Sequence, residues 1–471
     1  MDRKDYMRYL LLAPVVVVVI ASCKVTRDYQ RPDLQLPAQY NGLSYSDTSS
    51  ISDMPWNTFF TEPALQALIE KGIARNNNML TALKNIDIAD QQLKQAKLFW
   101  TPQLNAQAGY QYNHPSGNSF NGALMQGSNY FQDHQVTLNL TWELGIWGKI
   151  RRQKEAVVDQ YLQSYEARKA VQTTVVSDIA KGFYNLLMLD KQLTITKENL
   201  TLSDSTLQIT TLLMNAGTPN VTQLSIDQVK AQREGIAAQI PLLEQYITLQ
   251  ENALQLLTGA YPGEIARSVK LTDMAVPSSL PAGLPASIVS RRPDVRAAEL
   301  DVMAANARVG VAAADMYPKL TITSGIGFES LKASDWFKPA SWLANAAGGI
   351  VQPVFNRRQY KTQYEVARLN RDNSEIAFRQ SVLRAVGEVS NALAQIDKLK
   401  QQERATYIQS TDLHRAIEHA LLLYQGDMAN YLEVITAQSN ALQADLGLAN
   451  IHSNLLTAVV ELYRSTGGGW K

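Results

Sequence analysis

The sequence predicts a mainly α-helical chain that also carries transmembrane β-strands and is internally duplicated. Three observations lead there. Two very long segments are free of proline, four shorter segments alternate apolar and polar residues, and a motif at the start of one alternating segment returns in the second half of the chain.

The long segments run from Lys149 to Met214 and from Arg357 to Gln425, each with one internal glycine, Gly182 and Gly387. At about 1.5 Å per residue, each makes a helix of roughly 100 Å, far longer than a globular domain needs. Ile179, Leu186, Leu193, Leu200, Leu207 and Met214 fall seven apart. An apolar repeat of that period imposes a left-handed supercoil on neighbouring helices. The stripe is narrow, with Thr, Ser, Gln and Asp filling much of the remainder, as in the wall of a coiled coil. Helical hairpins are expected to turn near Gly217 and near Gly426.

In the first alternating segment, about 103–113, Leu104, Ala106, Ala108, Tyr110 and Tyr112 take one face, and Gln103, Asn105, Gln107, Gln111 and Asn113 the other. The second, about 134–144, sets Val136, Leu138, Leu140, Trp142 and Leu144 against Thr137, Asn139, Thr141 and Glu143. The third, about 319–329, sets Leu320, Ile322, Ile326 and Phe328 against Thr321, Thr323, Gly325 and Gly327, with Ser324 as an exception. A fourth, about 342–354, is blurred by Ala and Gly. Alternation over about 10 residues matches a strand with one face to lipid and one to a lumen. A half-buried strand of a soluble sheet shares the period. The strand length, the Asn, Gln and Thr on the polar faces, and the aromatic residues near the ends (Tyr110, Tyr112, Trp142, Trp147, Trp336, Trp342) favour the membrane.

Four strands enclose nothing, and open sheet edges are not tolerated in hydrocarbon. Several copies must therefore close one barrel. Two, three or four copies satisfy the physics, and three would give about 12 strands and an open lumen. The long helices have no place in a bilayer about 30 Å thick and must project from it.

Phe99-Trp100-Thr101-Pro102-Gln103-Leu104 corresponds to Met316-Tyr317-Pro318-Lys319-Leu320, with 318 − 102 = 216. Gly217-x-x-Asn220-Val221 likewise corresponds to Gly426-x-x-x-Asn430-Tyr431, with 426 − 217 = 209. Self-similarity over such a distance is a duplication signal. The expected division is a signal peptide (1–22), an extended segment (23–60), a first repeat (61–260), a Pro-rich linker (261–285), a second repeat (286–465) and a tail (466–471).

Arg3, Lys4 and Arg8 precede an apolar stretch, Leu10 to Ile20, that is too short to span a bilayer as a helix. It ends in Ile20-Ala21-Ser22-Cys23, and Cys23 is the one cysteine, so no internal disulfide forms. These four residues resemble a bacterial lipobox, which implies cleavage before Cys23 and its acylation. Lys24, not Asp, follows, which under lipobox rules permits export to the outer membrane. A net charge of +1, with 18% of residues charged, gives no electrostatic reason to expect nucleic acid. His114, His134, His414, His419 and His452 are scattered, and no phosphate loop, nucleophile elbow or metal cluster is present. The expectation is a protein that is not an enzyme and uses no cofactor.

After the lipobox come Asp28-Tyr29-Gln30-Arg31-Pro32, Trp56, Phe59-Phe60 and Glu62-Pro63-x-Leu65. The second half carries Ser290-Arg291-Arg292-Pro293-Asp294-Val295-Arg296, Ala304-Ala305-Asn306-Ala307, Val309-Gly310-Val311-Ala312, Tyr317-Pro318 and Gln352-Pro353-Val354-Phe355, and the chain closes with Gly467-Gly468-Gly469-Trp470. In that order these motifs resemble the TolC-like outer-membrane efflux factor family, above all its lipoprotein branch (NodT-like and OprM-like). The resemblance implies a TolC-like fold: a homotrimer whose 12-stranded β-barrel in the outer membrane continues as a 12-helix α-barrel in the periplasm. It further implies docking to a periplasmic adaptor and an inner-membrane RND transporter, the duct itself being passive. Drug efflux is the expected role. A type I protein secretion duct and a pore-free coiled-coil scaffold are the alternatives, and the cargo is not legible.

The resemblance also implies a periplasmic aperture at the helix tips. Tyr424 and the stretch from Asn430 to Ala437 match it, with Leu432 at an apolar ring position and Glu433 at a carboxylate ring position. Thr436 and Gln223 depart from the Asp found there in other members, so the latch is expected to use packing and neutral hydrogen bonds more than ion pairs. Gly217, Asn220, Gly426 and Asn430 are the expected adaptor-docking tips. For Arg291, Arg292 and Asp294 the residues themselves give a structural reading, with Pro293 and Asp294 suited to a first helical turn.

Overall fold

The computed structural model describes residues 25–37, 40, 50–120, 123, 130–277 and 280–471. The signal segment, the lipobox and Cys23 lie outside the described residues. Each alternating segment forms a strand. β1 (Gln103–Asn113), β2 (Phe131–Leu144), β3 (Lys319–Ser330) and β4 (Trp342–Val351) make one antiparallel sheet in the order β1-β2-β3-β4. β2 begins three residues before the expected 134, and β4 stops three short of the expected 354. Pro353, with no N–H to give a ladder, accounts for the early stop.

The register tests the alternation. Leu104 faces Leu140, Leu138 faces Ile326, and Ile326 faces Ala344. Directly opposed residues share a face, so one side of the sheet is apolar across all four strands. Ser324, the exception in its own strand, lies between Leu140 and Ala346 on that side. The opposite side gathers Asn105, Asn139, Gly325 and Asn345 in one row. β1 and β4 are both edges of this sheet.

α1 (Pro63–Arg75) and α2 (Asn77–Ala96) lead to β1. α3 (Lys149–Asn215), α4 (Gln223–Ala237) and α5 (Gln239–Leu257) follow β2. α6 (Pro293–Ala314) leads to β3, and α7 (Gln359–Gln425) and α8 (Tyr431–Ser465) follow β4. The halves thus share one order of elements. The returning helix of the first half is broken at Ala238 because Pro241 removes an N–H and crowds the carbonyl four residues back. α8 has no proline and runs unbroken for 35 residues. α3 and α7 have 67 residues each, about 100 Å. Among the described residues no helix is long and apolar enough to cross a membrane.

Along α3 the buried seam departs from the leucine stripe. Ile179 and Leu186 are fully buried, but Leu193, Leu200, Leu207 and Met214 are half-buried. Thr196, Ser203 and Thr210, also seven apart, take the buried positions instead. Small side chains let helices approach closely. The Thr196 and Thr210 hydroxyls each donate to the carbonyl four residues back, Gln192 and Thr206, at 2.8 Å, so burial strands neither.

The chain divides into two compact units, each drawn from both halves of the sequence. Met1–Asp33, Asp87–Gln163 and Glu299–Ala377 form the first, which contains the sheet. There the segment after the lipobox is clamped. Arg152 donates to the Thr26 carbonyl at 3.0 Å and to Asp28 at 2.8 Å, and Arg31 grips the buried Glu299 at 2.6 and 2.9 Å. The hydrogen bond to Glu299 raises the Arg31 pKa.

Leu34–Ile86, Ser164–Ala298 and Phe378–Lys471 form the second unit. Its charged core explains the Arg-Arg-Pro-Asp motif. Pro293 opens α6, with Asp294 in the first turn. Arg292, 3% exposed, donates to both Asp294 oxygens, to Glu388 at 2.8 Å and to the Ser465 carbonyl at 3.0 Å. Arg464 joins Glu388 at 2.9 Å and also pairs with Glu461, which Lys181 meets from α3. Burial opposes ionisation of Asp294 and Glu461, but their cationic partners outweigh it and hold both carboxyls below their ordinary range. The closing glycines wrap over this knot. Gly467 and Gly469 have φ of +101° and +99°, and a Cβ on Gly467 would sit 2.7 Å from the Arg291 carbonyl oxygen. Lys169 lies 4.5 Å over the Trp470 ring.

Candidate functional site: the tips of the helical hairpins

Both expected turns are present, but they are built differently. Gly217 sits at φ +77° after α3, with the Thr218 N–H bonded to the Leu213 carbonyl at 3.1 Å. Glycine is the residue that takes this conformation at least cost. After α7 it is Asp427, at φ +55°, that turns the chain, one residue past Gly426, and the Met428 N–H reaches the Leu423 carbonyl at 2.9 Å. The N-caps differ too. Asn430 caps α8, its side chain accepting from the Leu432 and Glu433 N–H groups at 2.9 and 3.3 Å. Its repeat counterpart Asn220 is exposed, and Thr222 is the N-cap of α4, with its N–H bonded to the Ser225 hydroxyl at 3.1 Å.

A small apolar cluster joins the two hairpins at their tips. Val221 and Val229 from the first meet Tyr424, Tyr431 and Val434 from the second, flanked by Leu213, Met214 and Leu421. Neutral hydrogen bonds surround it. Tyr424 donates its hydroxyl to Thr210 at 3.1 Å, Gln438 donates to Thr206 at 2.7 Å, and the Tyr431 hydroxyl meets Gln228. One ion pair, Arg233 with Asp204 at 2.7 Å, ties α4 to α3. Hydrogen bonding to Asp204 raises the Arg233 pKa.

The expected aperture residues separate into two groups. Tyr424 is 3% exposed and belongs to the packing between hairpins. Leu432, Glu433 and Thr436 share an exposed face of the first turns of α8, and the Glu433 carboxylate has no ionic partner among the described residues. Gln223, on the other hairpin, is exposed and donates to Asp227 at 2.9 Å. Sequence reasoning missed Thr206, Thr210 and Gln228. The signal was present in the seven-residue spacing of Thr196, Ser203 and Thr210, which reads as surface until a partner helix is placed on it.

Chemistry on bonds finds little footing here. His414 is paired with Asp445 at 2.9 Å, and His452 is held between Glu403 and the Met274 carbonyl. Among the described residues no three His, Cys, Asp or Glu side chains form a group that could hold a metal ion.

The outer membrane efflux protein family matches residues 68–260 and 284–468. The cation efflux system protein CusC of Escherichia coli O6:H1 is 29% identical over 466 residues, covering 98% of this chain and 99% of its own. The probable efflux pump outer membrane protein TtgC of Pseudomonas putida is 28% identical over 476 residues, covering 98% of this chain and 96% of its own. Among solved structures, CusC superposes with a TM-score of 0.83 at 26% identity over 95% of this chain and all of its own. The open MtrE channel of Neisseria gonorrhoeae superposes with a TM-score of 0.84 at 24% identity, over 95% of this chain and 99% of its own, a likeness of fold. An apolar-faced four-stranded sheet, two helices of 67 residues and family matches that together span most of the sequence have one reading: the chain belongs to the outer membrane efflux protein family and is an outer-membrane efflux channel, not an enzyme.

Proposed function

We propose that three copies of this chain form the exit duct of a tripartite pump, closing one barrel of about 12 strands and continuing it as a helical barrel in the periplasm. The observation that carries this reading is the sheet, with one apolar face and two open edges. Hydrocarbon offers no solvent to satisfy those edges, so other copies must pair with them. The duct is passive. A periplasmic adaptor docks at the tips, around Gly217, Asn220, Gly426 and Asn430, and an inner-membrane RND transporter supplies the energy and the cargo. Residues 1–22 are removed and Cys23 carries the acyl anchor. The clamp on Thr26 and Asp28 supports this by holding the chain within a few residues of that cysteine.

The cargo is small molecules, drugs and other xenobiotics among them. CusC is named for cation efflux and TtgC for an efflux pump, which favours small solutes over a secreted protein. The exposed face of Leu432, Glu433 and Thr436 lines the closed aperture, and the cluster around Tyr424 holds the hairpins together behind it. Purified mature protein is expected to show a three-chain mass in native mass spectrometry and steady conductance in planar bilayers. A lone chain without conductance would overturn the reading.

A further inference from the structure

The two strand-to-helix junctions of the sheet-bearing unit are repeat counterparts in opposite states. After β2, Trp147 donates its indole N–H to the Pro318 carbonyl at 2.7 Å and lies 5.0 Å from the Tyr317 ring, closing the seam between β2 and β3. Lys149 completes that seam with Glu143 and Asp315 at 2.9 and 3.1 Å. After β4, Val354 and Phe355 are 98% and 86% exposed. Arg357 and Arg358 follow with φ of +55° and +66°, and neither has an ionic partner among the described residues. At the far edge of the sheet, Leu98 and Trp100, just before β1, are likewise more than half exposed. Trp100 belongs to the motif that repeats as Met316-Tyr317-Pro318. One seam is therefore complete within the chain, and both halves of its counterpart lie open.

Resting on the trimer reading, we infer that Phe355 of one copy packs on the Trp100–Pro102 segment of the next, and that this contact fixes the register of β4 against the next copy's β1. The internal seam is the template. Phe355 follows Trp147 by 208 positions (355 − 147), and Pro318 follows Pro102 by 216 (318 − 102). Shifting the β2 partner forward by the first and the β3 partner back by the second turns Leu140↔Ser324 into Gly348 facing Ala108. In the same way Leu138↔Ile326 becomes Ala346 facing Tyr110, and Trp142↔Ile322 becomes Ile350 facing Ala106. Two independent features agree with this register. It keeps the apolar face of each copy continuous with that of the next, whereas a slip of one residue would put apolar against polar along the whole seam. It also sets two alanines of β4, Ala344 and Ala346, opposite Tyr112 and Tyr110 of β1. The Phe355 ring has no N–H to replace the Trp147 indole donor, so the closing side-chain contact is ring packing alone.

The test is disulfide trapping of Gly348→Cys with Ala108→Cys in the full chain. A Cβ at Gly348 meets nothing within 4 Å, so the substitution is accommodated. Facing positions fall inside the range of about 4.4–6.8 Å between Cα atoms that a disulfide needs, and a partner four residues away along the strand does not. Oxidation is expected to convert the single-chain band into two- and three-chain species that reductant reverses. Gly348→Cys with Leu104→Cys, and each single variant, are expected to stay unlinked. Native mass spectrometry of the same samples separates the failures. A three-chain mass with no linkage, or with linkage only in the Leu104 pair, overturns the register and leaves the trimer standing. Loss of the three-chain mass in the unsubstituted protein overturns the trimer reading as well.

Discussion

The two ends of the second unit hold helices together by opposite means. Around Arg292 the elements are tied by buried charge: two arginines and a lysine against Asp294, Glu388 and Glu461, sealed by a glycine tail. At the tips the first hairpin meets the second through a handful of apolar side chains and three neutral hydrogen bonds, from Tyr424, Tyr431 and Gln438. A buried charge network is costly to break because each broken pair strands an ion. Neutral hydrogen bonds at a small interface can be exchanged for water at a net cost of about 1 kcal/mol each. On these terms the knot costs more to break than the tips do.

The largest expected effect comes from breaking the knot. Arg292→Ala leaves Glu388 and Asp294 without a guanidinium that is 3% exposed, and such truncations cost about 3–5 kcal/mol. The expected outcome is a sharp loss of folded, heat-resistant assembly in the membrane fraction. A variant that assembles at normal yield would show that the network is dispensable and would erase the contrast with the tips.

Tyr424→Phe probes the opposite end and should act more mildly. It removes the hydroxyl bonded to Thr210, but Thr210 keeps its own bond to the Thr206 carbonyl, so nothing is orphaned. A loss of about 1 kcal/mol corresponds to about a fivefold change in an opening equilibrium. Single-channel recording is expected to show more frequent opening with the thermal resistance of the assembly nearly unchanged. Equal thermal losses in Tyr424→Phe and Arg292→Ala would mean that the tips are as permanent as the knot.

How far the sequence revealed this contrast follows from the range of the forces. Strand positions were legible because alternation is local: β1 covers the expected 103–113, while β4 ends early at a proline the blurred pattern obscured. The long helices were legible from missing prolines. What packs against them was not, because the seam of α3 moves from leucines to Thr196, Ser203 and Thr210 only once α8 and its neighbours lie close. The neutral bonds between the hairpins were not legible in Thr436 or Gln223, since Thr436 is exposed and Gln223 bonds to Asp227 on its own helix. Nor was the burial of Tyr424, since its partner Thr210 is 214 positions away. The second hairpin turns near Gly426 as expected, but it is Asp427 that takes the left-handed conformation, a choice made by backbone hydrogen bonds that sequence spacing does not reveal.

The smallest structural perturbation asks the most specific question of the tips. Glu433→Gln keeps size and shape on an exposed helical face and leaves the Asn430 cap, which binds the Glu433 backbone N–H, in place. Surface substitutions of this kind stay within about 0.5 kcal/mol, so assembly and thermal resistance are expected to match the parent. Three such carboxylates brought to one axis would concentrate cations and repel anions. In a salt gradient the reversal potential of the Gln variant is therefore expected to move toward zero. If it stays at the parent value, Glu433 faces the outside of the barrel. The exposed face of α8 would then be a docking surface and the constriction would have to be sought on the first hairpin, among residues near Gln223.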